Sequence, residues 1–219
     1  MTMHRGDHTS LDALAGLLAP TFPGREDAPL ALALLAELAQ GSPVDIAGLA
    51  RTAGRDQHHV RDLLAWWPNV HRDERDRVVA FGGLSIVPTG HRFAIGDRTL
   101  YTWCAWDTLF LPALLAREAR VRSTCPITGA DVALTVAPGG VRESQPGELW
   151  VSFPAPERTS TQDITGSFCC YVHFLAGEAA AASWRAGHPG GLVLSLDDAF
   201  ELGRRATQAF HTPHAEEAT

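Results

Sequence analysis

Pro43-Val-Asp45-Ile-Ala-Gly-Leu-Ala50-Arg-Thr-Ala-Gly54-Arg-Asp56-Gln-His-His-Val60-Arg-Asp62-Leu-Leu-Ala-Trp66-Trp67 decides how the first half of the chain is built. Pro43, Val44 and Asp45 open a helix that runs through Ala50, and Gly54 breaks it. Asp56 caps a following helix that reaches about Trp67. Upstream, Pro29 to Ala39 is dense in Ala and Leu and is stopped at Gly41, which makes a first helix. Three short helices with tight glycine-containing joints resemble a helix-turn-helix unit. Residues 1–28 read as a poorly specified arm with one apolar stretch, Leu11 to Leu18.

Beyond Pro68, the segments Val78–Phe81, Leu84–Val87 and Arg92–Ile95 read as short strands joined by glycine turns, completing a winged-helix outline. That outline suggests DNA binding, and charge argues against it. The second helix of the unit carries Asp56, Arg61 and Asp62, and Arg72, Arg75 and Arg77 are matched by Asp73, Glu74 and Asp76. A duplex reader presents a basic face. The whole chain agrees, with a net charge of −7 over 219 residues. All 18 basic residues are Arg. The composition, 45% hydrophobic and 20% charged, is that of a soluble globular chain. No apolar run approaches the roughly 18 residues of a membrane span, and the polar N-terminus lacks a secretory stretch, so a cytoplasmic location is expected.

The second half begins near Leu100. A helix is expected from Cys104 to Ala119, kinked or restarted at Pro112. Strands follow at 120–125, 131–136, 148–153, 167–175 and 192–196, with a polar loop at 154–166 and helices at 179–186 and 197–210. Ser195 and Asp198 resemble a capping box at the start of the last helix. The fold class is therefore α+β. A winged-helix-like unit (1–98) precedes a catalytic unit (99–219) of antiparallel or mixed sheet flanked by helices.

Four cysteines carry the chemistry on offer: Cys104, Cys125, Cys169 and Cys170. They are too few for a disulfide framework, and no C-x-x-C pair suggests zinc. In a strand spanning Ser167 to Phe174, Cys170 shares the apolar face with Phe168, Val172 and Phe174, while Cys169 shares the polar face with Ser167, Tyr171 and His173. Cys125 shares a face with Val121 and reads as a buried thiol. Cys104 lies three residues before Asp107, which puts a thiol and a carboxyl on one helical face where they can exchange a proton. His173 beside Cys169 invites a Cys–His hydrolase reading, but nothing supplies an oxyanion hole. His58, His59, His71, His211 and His214 read as solvated.

Tyr101-Thr-Trp-Cys104-Ala-Trp-Asp107-Thr-Leu-Phe-Leu-Pro112-Ala-Leu closely resembles the active-site helix of the organomercurial lyases, also called alkylmercury lyases. Val121-Arg-Ser-Thr-Cys125-Pro-Ile-Thr-Gly129, Ser167-Phe-Cys169-Cys170-Tyr-Val-His173-Phe174 and Ser195-Leu-Asp-Asp-Ala-Phe200-Glu-Leu-Gly203 match further family segments in order. The resemblance spans about residues 29–205. It implies that Cys104 and Cys169 are the catalytic, mercury-binding cysteines, that Asp107 is the catalytic acid and the third residue around bound mercury, and that Cys125 and Cys170 are a non-catalytic pair. The implied reaction is protonolysis of a carbon–mercury bond, giving a hydrocarbon and Hg(II). Thiolates suit that soft metal, and Trp103, Trp106 and Phe110 are candidates for a dry pocket around the organic group. No organic cofactor is implied. Small cytosolic thiols would assist release, a mercuric reductase would accept Hg(II), and neither nucleic acid nor membrane is a partner. The rival reading is a metal- or thiol-responsive winged-helix regulator.

Overall fold

A computed structural model describes residues 8–160 and 163–211. The presumed arm begins with helix α1 (His8–Leu18), whose Leu11, Leu14, Ala15 and Leu18 are buried at helical spacing. α1 packs on helix α8 (Leu196–Ala206), and Arg205 pairs with Asp12 at 2.6 Å. From Leu11 onward, then, the arm contributes to the core. His214 and the side chain of His211 lie outside the described residues.

Helices α2 (Ala28–Leu38), α3 (Ile46–Thr52) and α4 (Gln57–Trp66) follow as expected. Asp45 caps α3 by accepting the Gly48 N–H at 2.8 Å, and Asp56 caps α4 by accepting the His59 N–H at 3.0 Å. The chain then enters an antiparallel sheet made of β1 (His71–Arg72), β2 (Val78–Phe81), β3 (Leu84–Ser85), β4 (His91–Ile95), β5 (Arg98–Thr102), β6 (Ala119–Thr124), β7 (Asp131–Ala137) and β8 (Gly140–Gln145). Its strand order is β1-β2-β3-β5-β4-β6-β7-β8. The wing strands β2 and β3 and the later strands are thus one continuous sheet, and β5 opens at residue 98. Alternation sets its faces. Phe93, Val121, Leu134 and Val136 point into the core, while Arg92, Arg120 and Arg122 face solvent.

A second antiparallel sheet, in the order β10-β9-β11, comprises β9 (Leu149–Phe153), β10 (Phe174–Ala176) and β11 (Leu192–Ser195). It is flanked by α7 (Glu178–Gly187) and by α8, whose cap Ser195 accepts the Asp198 N–H at 3.1 Å. Among the described residues no helix is long and apolar enough to cross a membrane.

The closing helix expected at 197–210 is broken at Thr207 into α8 and α9 (Gln208–His211), and two further expected elements that differ from the structure hold cysteines. The helix expected at 104–119 is α5, Asp107–Leu114. Pro112 offers no N–H to the Thr108 carbonyl, and the helix ends two residues later with Ala116 at φ 49°. Cys104 therefore precedes the helix. The strand expected at 167–175 survives only as β10. Residues Ile164–Ser167 form a helical turn, α6, and Cys169–Tyr171 a 3₁₀ turn. Asp163 caps α6 through the Gly166 N–H at 3.0 Å, and the Ser167 hydroxyl donates to the Asp163 carbonyl at 2.6 Å. These local side-chain bonds outcompete strand pairing. The consequence reverses the expected faces: Cys169 is buried and Cys170 is exposed.

Candidate active site

The turn between β5 and α5 presents the first thiol. Asp107, in the first turn of α5, reaches back so that its Oδ2 accepts the Cys104 N–H at 2.8 Å. The side chain thus bonds a backbone N–H three residues upstream of the first helical residue, so the three-residue spacing joins thiol and carboxyl at a helix entry rather than on a helix face. The Thr102 hydroxyl donates to the Cys104 carbonyl at 2.9 Å and fixes the turn from the strand side.

The second thiol arrives from sixty-five positions later in the chain. The Ala105 N–H donates to the Val172 carbonyl at 3.2 Å, tying the two cysteine segments together. Ser152 on β9 holds the 3₁₀ turn, since its hydroxyl donates to the Tyr171 carbonyl at 2.8 Å and accepts the His173 N–H at 2.9 Å. As a result, both cysteine sulfurs and a carboxylate oxygen of Asp107 lie within 4.8 Å of one another. Cys104 is 0% exposed, Asp107 4% and Cys169 5%. Among the described residues no other group of three or more His, Cys, Asp or Glu side chains is placed to share a metal ion.

Burial sets the protonation states. It pushes the Asp107 carboxyl up to about 7, against the N–H bonds from Cys104 and Trp103 that favour the anion. Burial likewise drives Cys104 well above the usual thiol range, helped by its hydrogen bond with Cys169 and the charge of Asp107. At Cys169 the bond from Cys104 acts downward, but burial and the Asp107 charge outweigh it and the thiol is raised. The resting cluster near neutral pH thus holds two protonated thiols beside a carboxyl poised to gain or lose a proton.

Above the cluster is a narrow cavity of about 20 Å³ with mostly apolar walls, including Leu18, Phe22, Trp103, Trp106, Ile164 and Phe168. Trp106 is fixed by its indole N–H donating to the Ala199 carbonyl at 3.0 Å and by edge contacts with Phe110, Phe153 and Phe168. Phe110 packs behind Trp106 against Phe22 and does not line the cavity. A larger hollow of about 590 Å³ lies on the solvent face of β4, β6, β7 and β8, walled by Arg92, Arg120, Arg122 and Glu143. It contains no thiol and none of the cluster residues, so size alone does not locate the chemistry.

The other candidates fall elsewhere. Cys125 is fully buried in a separate apolar cluster with Leu175, Ala180, Ala181 and Trp184, as expected. Cys170 donates to the Gly166 carbonyl at 2.9 Å from an exposed position. His173 is held by its backbone to Ser152, and His58 and His59 are exposed. Sequence reading did not find Thr102 or Ser152 as supports of the cluster. Their only signal was small size beside a strand or turn.

The alkylmercury lyase family model matches residues 84–208, and the helix-turn-helix domain of alkylmercury lyase matches residues 11–82. The chain is 42% identical over 171 residues to the alkylmercury lyase of Staphylococcus epidermidis, covering 78% of each chain. It is 42% identical over 179 residues to that of Streptomyces lividans, covering 82% of each. The crystal structure of the mercury-bound form of MerB2 superposes with a TM-score of 0.73 at 25% identity, over 92% of this chain and 99% of that one. Both halves of the chain are matched in order, and the aligned relatives share one activity in their names: the chain belongs to the alkylmercury lyase family.

Proposed function

We propose that the protein cleaves the carbon–mercury bond of organomercury compounds, with Cys104 and Cys169 binding mercury and Asp107 carrying the proton. The observation that supports this most directly is the buried cluster itself, two sulfurs and one carboxylate within 4.8 Å. An R–Hg–X substrate exchanges X for one cysteine sulfur, and the thiol proton leaves with X. When the second sulfur bonds to mercury, its proton passes to the Asp107 carboxylate. Two thiolates push electron density toward the Hg–C bond and make its carbon basic. Asp107 then delivers the proton to that carbon, R–H departs with the bonding pair, and Hg(II) stays on the two sulfurs. A carboxyl held near 7 suits both halves of this transfer. The apolar walls exclude water that would compete as proton source.

External small thiols would extract Hg(II) by ligand exchange, and a mercuric reductase would be the downstream acceptor, in the cytoplasm. No resident cofactor is required by this scheme. The helix-turn-helix unit serves the catalytic half instead of DNA. Arg61 and Arg72 both pair with Asp76, and Arg77 pairs with Asp73 at 2.6 Å, so these cations of α4 and the wing are engaged by carboxylates within the unit.

The test is incubation of purified protein with phenylmercury plus excess thiol, reading benzene release. Stoichiometric benzene from wild type, lost in Cys104→Ser and Cys169→Ser, is the expected result. Tight mercury uptake without benzene would replace the reading with sequestration. Nanomolar sequence-specific operator binding near physiological salt would restore the regulator.

A further inference from the structure

The turn between β2 and β3 consists of Gly82 and Gly83, with Phe81 opposite Leu84. Both glycines have positive φ, +56° and +92°, as a two-residue hairpin turn of this hand demands. Both angles disfavour an L side chain, that of Gly83 more so because it lies outside the left-handed well of about +50° to +70°, and space separates the two further. A Cβ built on Gly82 would meet only Leu35 Cδ2, at an ordinary 3.7 Å. A Cβ on Gly83 would stand 2.5 Å from Asp107 Cγ, 2.6 Å from Oδ1 and 2.8 Å from Cβ.

We propose that Gly83 is a positioning residue for the Asp107 carboxyl, and that the wing of the helix-turn-helix unit thereby sets where the proton-carrying group sits. The inference rests on the proton-carrying role given to Asp107 above. The carboxyl is clamped from two sides. Oδ2 is held by the Cys104 N–H, and the Oδ1 side rests on the bare Cα of Gly83. The turn itself is pinned, because the Trp103 N–H donates to the Gly83 carbonyl at 3.0 Å and Leu84 pairs with Thr102. Neither wall can retreat without disturbing the cysteine turn. Asp107 is 4% exposed and opens only onto the narrow cavity of about 20 Å³, so the carboxyl has little room to swing. A methyl group at 83 must displace the carboxyl by about 1 Å to reach ordinary carbon–carbon contact, and errors of that size cost roughly 100-fold in rate.

The experiment compares Gly83→Ala with Gly82→Ala, which puts a methyl at a positive φ in the same turn without the intrusion. Single-turnover benzene release by Gly83→Ala should fall about 100-fold below that of Gly82→Ala, and the midpoint of its pH–rate profile should move while that of Gly82→Ala does not. Hg(II) retention, which needs only the sulfurs, should be equal in the two. Equal rates, or retention lost in step with the rate, would overturn the proposal. Thermal melts provide a second reading that does not depend on activity. Asp107→Gly removes the three atoms nearest the new methyl, so in that background the extra cost of Gly83→Ala over Gly82→Ala should shrink to the difference in backbone strain. An undiminished cost would overturn the steric clamp. A near wild-type rate in Asp107→Asn would instead sink the role of Asp107 and leave the melting comparison to judge the clamp alone.

Discussion

Asp107→Asn separates proton delivery from metal binding, and the structure sets the size of both its effects. The amide is isosteric, and its oxygen can still accept the Cys104 N–H that now bonds Oδ2 at 2.8 Å. The turn and both sulfurs should therefore stay in place. Without a carboxyl, protonolysis loses its general acid, a contribution of about 10²–10⁴ in rate, or roughly 3–5 kcal/mol of barrier. The second effect is on stability. Burial raises the Asp107 carboxyl from 3.8 to about 7 in the folded protein. Between those values the folded chain binds the proton more tightly than the unfolded chain, so this group's contribution is complete below the unfolded value and is lost as pH rises through about 7. The span corresponds to something on the order of 4 kcal/mol. Asparagine has no such term, so the variant should gain on wild type by several kcal/mol between about pH 4 and about pH 8. Single-turnover benzene release, Hg(II) titration and denaturant melts at the two pH values read all three quantities. A variant that cleaves phenylmercury at near wild-type rate would refute the role of the carboxyl. One whose stability difference from wild type does not change with pH would refute its burial as a strained, ionisable group.

The cysteines should divide by burial. Cys104→Ser and Cys169→Ser should lose Hg(II) retention and cleavage together. Cys170→Ser, at an exposed position, should change stability by less than about 0.5 kcal/mol and keep its rate, and a folded but inactive Cys170→Ser would show that the wrong member of the pair faces the substrate. His91 is held at about 4 by burial and by His173 beside it, with Ser123 on its Nδ1 at 2.9 Å. Its folded value lies below the unfolded one, so stability is complete above about 6.5 and falls by up to about 3 kcal/mol as pH drops toward 4, and His91→Gln should flatten that limb in denaturant melts. Leu11→Ala, in the helix that sequence reading took for an arm, should cost about 2–5 kcal/mol because Leu11 is 2% exposed in the core, whereas a dispensable arm would cost nothing measurable.

The chain's local chemistry determined a good deal by itself. Asp56 caps the helix it was expected to cap, Asp45 caps the helix expected to open at 43–45, Ser195 caps α8, and alternation in β6 and β7 put Val121 and Leu134 inward and the arginines outward. Those outcomes depend on neighbours within four residues or on a period of two, which a sequence displays directly. The cysteine motifs were legible as a family resemblance, although the faces inferred for Cys169 and Cys170 were inverted. Eight alternating residues look like a strand, and only the Asp163 cap and the Ser167 hydroxyl bond turn them into helical turns that send Cys169 inward. The three-residue spacing of Cys104 and Asp107 was read correctly as proximity, but the helix entry that creates it depends on where α5 starts. What tertiary structure alone decided is the convergence. Cys104 and Cys169 meet because the Ala105 N–H reaches the Val172 carbonyl, and Asp107 is titratable near neutrality because the wing's Gly83 and the core close over it. Both are contacts between residues far apart in sequence, whose strength depends on the exclusion of water by the assembled fold, and no local pattern of residues records that exclusion.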